Sequence, residues 1–265
     1  MKQILPLLLI GLAACQQQKN QPPQPTEKKK QTILAILANP GDEHVLAPVL
    51  VKYARQSDVY VLFATDGALG TGDGIPTGDT LIRLRQEESR CAAAKMGYHF
   101  PIFLTFPDGM DSRHGLGLYM NQCNRLKDQL KQQVRDIGPD AILTFGPDGD
   151  DGHAGHRMIS DIVTEIVLAE NWVERYPLYY LGRTRKDDEK YARFAGVNFV
   201  AAAYLPVAVS YTQEDENKAL DALRCNKSQF SADEVNRRIA VEEKDTGNTI
   251  RFRQLVVSTE KKTGF

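Results

Sequence analysis

The sequence predicts an α/β fold with a mainly parallel sheet, on three observations. Short continuous apolar runs alternate with longer helical patterns through the first two thirds of the chain. Glycine, proline and acidic residues punctuate the junctions. Two glycine-containing acidic turns each follow a run that reads as a buried strand. Strand–helix alternation of this kind builds βαβ units, whose crossovers are right-handed, and gives a Rossmann-like three-layer sandwich.

The elements follow in order. Thr32 to Leu37 is a first strand, and His44 to Ala54 a helix with Pro48 in its first turn, where proline is tolerated. Asp58 to Ala64 is a second buried strand. Residues 67 to 78 hold five glycines and read as a loop. Thr80 to Met96 is an amphipathic helix stopped by Gly97, and Pro101 to Phe106 a third strand. A loop carrying Asp108-Gly109 and His114-Gly115 leads to a helix over Leu118 to Ile137, closed by Gly138-Pro139. Ala141 to Phe145 is the next strand, and Met158 to Leu168 has helical periodicity. Beyond residue 170, strands are expected at Leu178 to Leu181, Asn198 to Val209 and Thr249 to Val257. Helices are expected at Glu214 to Leu223 and Ala232 to Glu243. With no repeat or internal linker, residues 32–260 read as one domain.

The first fifteen residues stand apart. Met1-Lys2, an apolar run from Ile4 to Leu12, and small residues read as a secretory signal, too short to span a bilayer comfortably. Its ending, Leu12-Ala13-Ala14-Cys15, resembles the bacterial lipoprotein signal, in which the cysteine becomes the lipidated first residue. Residues 16–31 are Gln-, Pro- and Lys-rich with nothing apolar to bury, and read as a flexible tether. The expectation is a lipid-anchored protein of the bacterial cell envelope, beside a membrane but not through it.

Lys and Arg number 33 against 34 Asp and Glu, so bulk charge offers no argument for nucleic acid. Cys91, Cys123 and Cys225 match no metal spacing. Cys91 and Cys123 lie on helical patterns and read as buried thiols, although an oxidising envelope permits one disulfide.

Chemistry concentrates in two turns. Gly146-Pro147-Asp148-Gly149-Asp150-Asp151-Gly152-His153-Ala154-Gly155-His156-Arg157 carries two histidines and three carboxylates directly after a strand. Ala38-Asn39-Pro40-Gly41-Asp42-Glu43-His44 follows the first strand. Open α/β sheets bind ligands at the carboxyl ends of their strands, so both turns lie where such a fold does chemistry. A hydrolytic zinc site needs about three protein ligands and an open position for water. His-x-x-His alone is a weak signal for one; the partner turn strengthens it.

These turns resemble the motifs of the N-acetylglucosaminyl-phosphatidylinositol de-N-acetylases, the PIG-L or LmbE-like family. The family's Ala-His-Pro-Asp-Asp-Glu aligns with Ala38-Asn39-Pro40-Gly41-Asp42-Glu43, and its Gly-His-Pro-Asp-His-Arg with Gly152-His153-Ala154-Gly155-His156-Arg157. Ala64-Thr65-Asp66-Gly67, Arg85-Gln86-Glu87-Glu88, Phe106-Pro107-Asp108-Gly109 and the run from Pro139 to Gly149 match in order between them, over about residues 32–170. The resemblance implies a zinc-dependent deacetylase acting on an N-acetylated amino sugar glycan or conjugate. Asp42 and His156 would be metal ligands, with Asn39 a weak third. His153 would stabilise the oxyanion or protonate the leaving amine, with Asp42 beside it in the catalytic set, and Arg85 and Asp108 would contact substrate.

Two departures stand against turnover. Asn39 replaces the family's ligand histidine, and zinc favours imidazole nitrogen over a neutral amide oxygen. Gly41 replaces the family's general base, whose loss typically costs on the order of 100- to 10,000-fold in rate. Asp148, Asp150, Asp151 or His44 could compensate, or could be turn-forming and solvated groups. The alternative to an enzyme is a relative that binds a glycan or partner without turnover. A nucleotide-sugar enzyme is disfavoured because residues 67–78 lack a phosphate-binding fingerprint, and that loop reads better as a lid. Met110, Trp172, Tyr176, Tyr179 and Tyr180 could line a sugar cleft or belong to core and rim.

Overall fold

The computed structural model describes residues 29–70, 75–185, 198–244 and 247–263. Cys15, the signal and most of the tether lie outside the described residues, as do residues 71–74 of the glycine-rich loop. The strands are β1 (Thr32–Leu37), β2 (Asp58–Thr65), β3 (Ile102–Phe106), β4 (Ala141–Phe145), β5 (Leu178–Gly182), β6 (Val207–Ser210) and β7 (Thr249–Gln254). They form one sheet in the order β3-β2-β1-β4-β5-β7-β6. The first five run parallel; β7 runs antiparallel to both β5 and β6.

The helices are α1 (Ala47–Ala54), α2 (Asp79–Met96), α3 (Leu116–Ile137), α4 (Ala154–Ala169), α5 (Gln213–Leu223) and α6 (Ala232–Glu242). Helices α1, α2 and α5 pack together in one layer, and α3 and α4 in the other. β4 is buried at every position and β1 at all but its first, as a parallel sheet covered on both faces requires. Leu34, Leu37, Leu62, Phe63, Ile142 and Phe145 are fully enclosed. Truncating any of the leucines to alanine would cost about 2–5 kcal/mol.

The predicted α/β sandwich is therefore the observed one, with local differences. Asn198 to Val209 is not a continuous strand. Ala202–Tyr204 forms a short 3-10 turn, and β6 begins only after Pro206, which has no N–H to give a ladder. The loop at Asp108 is itself a 3-10 helix, Asp108–His114. Cys91 is not a free thiol: it is bonded to Cys225, joining α2 to the turn after α5, while Cys123 stays free and buried. Helical spacing placed Cys91 correctly on α2 but gave no sign of a partner so distant in sequence.

This topology positions the site. The chain leaves β1 toward one neighbour, β2, and reaches the other, β4, only after crossing to the opposite layer. β1 and β4 thus flank the point where strand order reverses, and a crevice opens there between their carboxyl ends.

Candidate active site at the carboxyl ends of β1 and β4

The turn after β1 is built around a left-handed residue. Gly41 has φ +103°, which only glycine adopts without strain. The Asp42 N–H donates to Asn39 O at 3.0 Å, and the Asn39 N–H donates to Asp42 Oδ2 at 2.7 Å. The Asp42 carboxylate therefore folds back across its own turn. Glu43 is fully buried, with Oε2 accepting from the Gly41 N–H at 2.8 Å.

The turn after β4 brings His156 to the same place from the first turn of α4. Its ring stacks flat on Phe145, centroids 3.8 Å apart. Nδ1 lies 3.1 Å from both Gly149 O and Asp151 Oδ1, and Nε2 lies 3.4 Å from Asp42 Oδ2. Both ring nitrogens face acceptors, so the ring is an imidazolium between two carboxylates. Burial alone would lower its pKa, but Asp42 and Asp151 outweigh that and push it to about 11. Burial opposes ionisation of the partners too, yet the His156 charge and hydrogen bonds hold Asp42 below its ordinary value and Asp151 down at about 2.

His153 is the N-cap of α4. Its Nδ1 accepts from the Gly155 N–H at 3.2 Å, which leaves the proton of the neutral ring on Nε2. The two histidine rings are 4.9 Å apart, centroid to centroid.

A cleft of about 580 Å³ opens over these groups. Asn39, Asp42, Arg85, Asp108, His153 and His156, the six residues expected from sequence in and around the site, all line it. Arg85 enters from α2 and donates to Gly67 O at 2.7 Å; burial draws its pKa down, partly offset by Asp42 and Asp108. The Asp66 carboxylate accepts from the N–H groups of Ala68 and Asp108, both at 3.0 Å, and Asp108 accepts from the Leu69 N–H, which ties the glycine-rich segment to the rim. Met110, Trp172, Tyr176 and Tyr180 belong to the buried core and do not line the cleft.

Three of the compensating groups weighed from sequence, Asp150, Asp151 and His44, line the cleft with other partners, Asp151 on His156. Asp150 is buried and paired with Arg183. His44 donates from Nδ1 to Gly41 O and meets the edge of Phe230; burial first, then the Arg238 charge, lower it to about 4, so it is neutral. The far wall of the cleft, including Arg183, Gln229, Phe230 and Arg238, comes from the last third of the chain. No motif there marked these residues.

A zinc ion of the kind the motifs imply does not fit the donors present. Among the described residues no group of three or more His, Cys, Asp or Glu side chains is placed to hold a metal. Asp42 and His156 are two ligands of the right kind. The third position is Asn39, whose side-chain oxygen is taken by the Thr65 hydroxyl.

Residues 34–167, about half the chain, match the family model for GlcNAc-PI de-N-acetylase. The chain belongs to the PIG-L family. Solved structures share the fold of this PIG-L chain at low identity. N,N′-diacetylchitobiose deacetylase from Pyrococcus horikoshii aligns with TM-score 0.60 and 18% identity over 86% of this chain and 84% of its own. A deacetylase of the teicoplanin biosynthesis pathway gives 0.62 and 16% over 86% and 100%. The A40926 pseudoaglycone deacetylase gives 0.61 and 17% over 86% and 98%. Among curated proteins none matches the chain in sequence.

Proposed function

We propose that this PIG-L chain is a deacetylase-type hydrolase whose cleft takes an N-acetylated amino sugar conjugate. The observation that carries the reading is the convergence of Asp42, His153 and His156 on one cleft with Arg85 and Asp108 at its rim. In amide hydrolysis water adds to the acetyl carbonyl, the C–N bond breaks, and acetate and an amine leave. His153, with its proton on Nε2, would hydrogen-bond the developing oxyanion or protonate the departing nitrogen. Zinc is the metal the family resemblance implies. Asp42 and His156 alone are ligands of the right kind for it and the third is lacking, so zinc carries no step here.

The setting proposed is the bacterial envelope, with Cys15 lipidated and the tether reaching from the membrane. The Cys91–Cys225 disulfide supports it, because such bonds persist in oxidising compartments.

A second reading, sugar binding without turnover, is favoured by the Asn39–Thr65 contact and by Gly41. One experiment separates the two. Acetate release from N,N′-diacetylchitobiose is followed with zinc-loaded and metal-stripped protein, alongside His153→Ala. Release that disappears in the variant supports the hydrolase. Calorimetric binding with no release in either metal state supports the binder. Neither release nor binding would sink both.

A further inference from the structure

The place left by the missing side chain at position 41 is filled. A Cβ built on Gly41 would lie 1.6 Å from Gln229 Nε2 and 2.5 Å from its Cδ, so a side chain at position 41 requires the Gln229 carboxamide to leave this position. Gln229 Nε2 donates to Pro40 O at 2.6 Å. A carbonyl can only accept, so this contact fixes which end of the carboxamide is nitrogen. Oε1 is left as the acceptor end, and no donor among the described residues reaches it. Gln229 lines the cleft together with Asp42 and His156.

The segment that carries Gln229 is clamped. Cys225 is bonded to Cys91, and three residues after Cys225 and three before Cys91 the Glu88 carboxylate accepts from the Ser228 N–H at 2.8 Å and from its hydroxyl at 2.6 Å. Glu88 and Cys91 lie on one face of α2, as residues three apart on a helix do. On the other side Phe230 abuts His44 in the β1 turn. Two attachments to α2 and one to the β1 turn hold a single carboxamide over Gly41.

We propose that Gln229 is a specificity-determining residue of the cleft, presenting a neutral carboxamide to the bound amino sugar where the family motif presents a carboxylate from position 41. Its Oε1 accepts a hydrogen bond from an N–H or O–H of the sugar. It takes no proton from water at neutral pH, so it binds and orients. The proposal rests on the reading that the cleft holds an N-acetylated amino sugar.

The test has a part that needs no ligand and a part that does. In thermal melts, Gln229→Ala is compared in the wild-type and Gly41→Asp backgrounds. It should lower or leave Tm in the first and raise it by about 2–4 °C in the second, where it removes the clash. The same decrease in both backgrounds would overturn the placement. By calorimetry, Gln229→Ala and the similarly sized Gln229→Met should both weaken binding of N,N′-diacetylchitobiose by roughly three- to tenfold, the worth of one neutral hydrogen bond. Unchanged affinity in both variants, with the wild type binding, would overturn this proposal and leave the functional reading intact. A wild type that binds no sugar would overturn both.

Discussion

Asp42 Oδ2 lies 3.4 Å from His156 Nε2, and that same oxygen accepts from the Asn39 N–H at 2.7 Å. The ends of β1 and β4 are thus tied through one carboxylate oxygen. On the far side of the imidazole, Asp151 completes a carboxylate–imidazolium–carboxylate series. A metal ion entering this position would have to displace the Nε2 proton, so metal uptake here releases a proton and is favoured by alkali.

The His156 charge makes stability depend on pH with a definite sign. Its folded pKa of about 11 stands above its ordinary 6.5, so the folded chain binds this proton more tightly than the unfolded chain. The stabilisation is complete below the ordinary value and is lost as pH rises toward the folded one. Between about pH 7 and pH 10, wild-type Tm should therefore fall more steeply than that of His156→Gln. Melts of both proteins across that range check this, and parallel slopes would refute it.

Asn39 is the weak point for metal. Asn39→His supplies an imidazole beside Asp42 and His156 and should raise zinc affinity by at least about tenfold, measured by competition with a chromophoric chelator. Restoring a carboxylate with Gly41→Asp alone should not help, since Gln229 occupies the space and φ +103° strains any side chain there. Affinity unchanged in Asn39→His would mean that the Thr65 contact is not what disables the third position.

What could be read from sequence follows how local the determinants are. The turn at Ala38–His44 and the His153–His156 pair are contiguous motifs on the ends of strands whose apolar runs are plain, so both the fold and the floor of the cleft were legible. Gln229 over Gly41, Arg183 on Asp150 and Cys225 on Cys91 are contacts between distant segments. No spacing rule encodes them. The helices α5 and α6 were visible by periodicity, but their approach to the cleft depends on packing α5 against α1 and α2. The Arg55–Asp215 ion pair helps fix that packing, and nothing in either local stretch announces it.

The disulfide should matter to both stability and the cleft. It closes a loop spanning a sequence separation of 134. Removing such a bond typically costs about 2–4 kcal/mol. Cys91→Ser with Cys225→Ser should lower the urea midpoint correspondingly, and wild type in reductant should shift toward the variant. A midpoint unmoved by reductant would show that Glu88 and Ser228 hold the segment unaided.

Glu43 gives the sharpest test of electrostatics beneath the site. Its carboxyl is fully enclosed, and Oε2 accepts from the Gly41 N–H. Burial, with the adjacent Asp42 charge adding to it, raises its pKa from 4.5 to about 8. Across that interval the unfolded chain has given up the proton that the folded chain keeps, so stability falls as pH rises through the window. Glu43→Gln keeps an oxygen for the Gly41 N–H and is neutral at every pH. At about pH 4, below the ordinary carboxyl value, the variant and wild type should melt alike. At about pH 8 the variant should melt higher than wild type, by at least several degrees. A variant that melts lower than wild type at both values would mean that Glu43 is ionised in the fold and stabilises the turn through its charge.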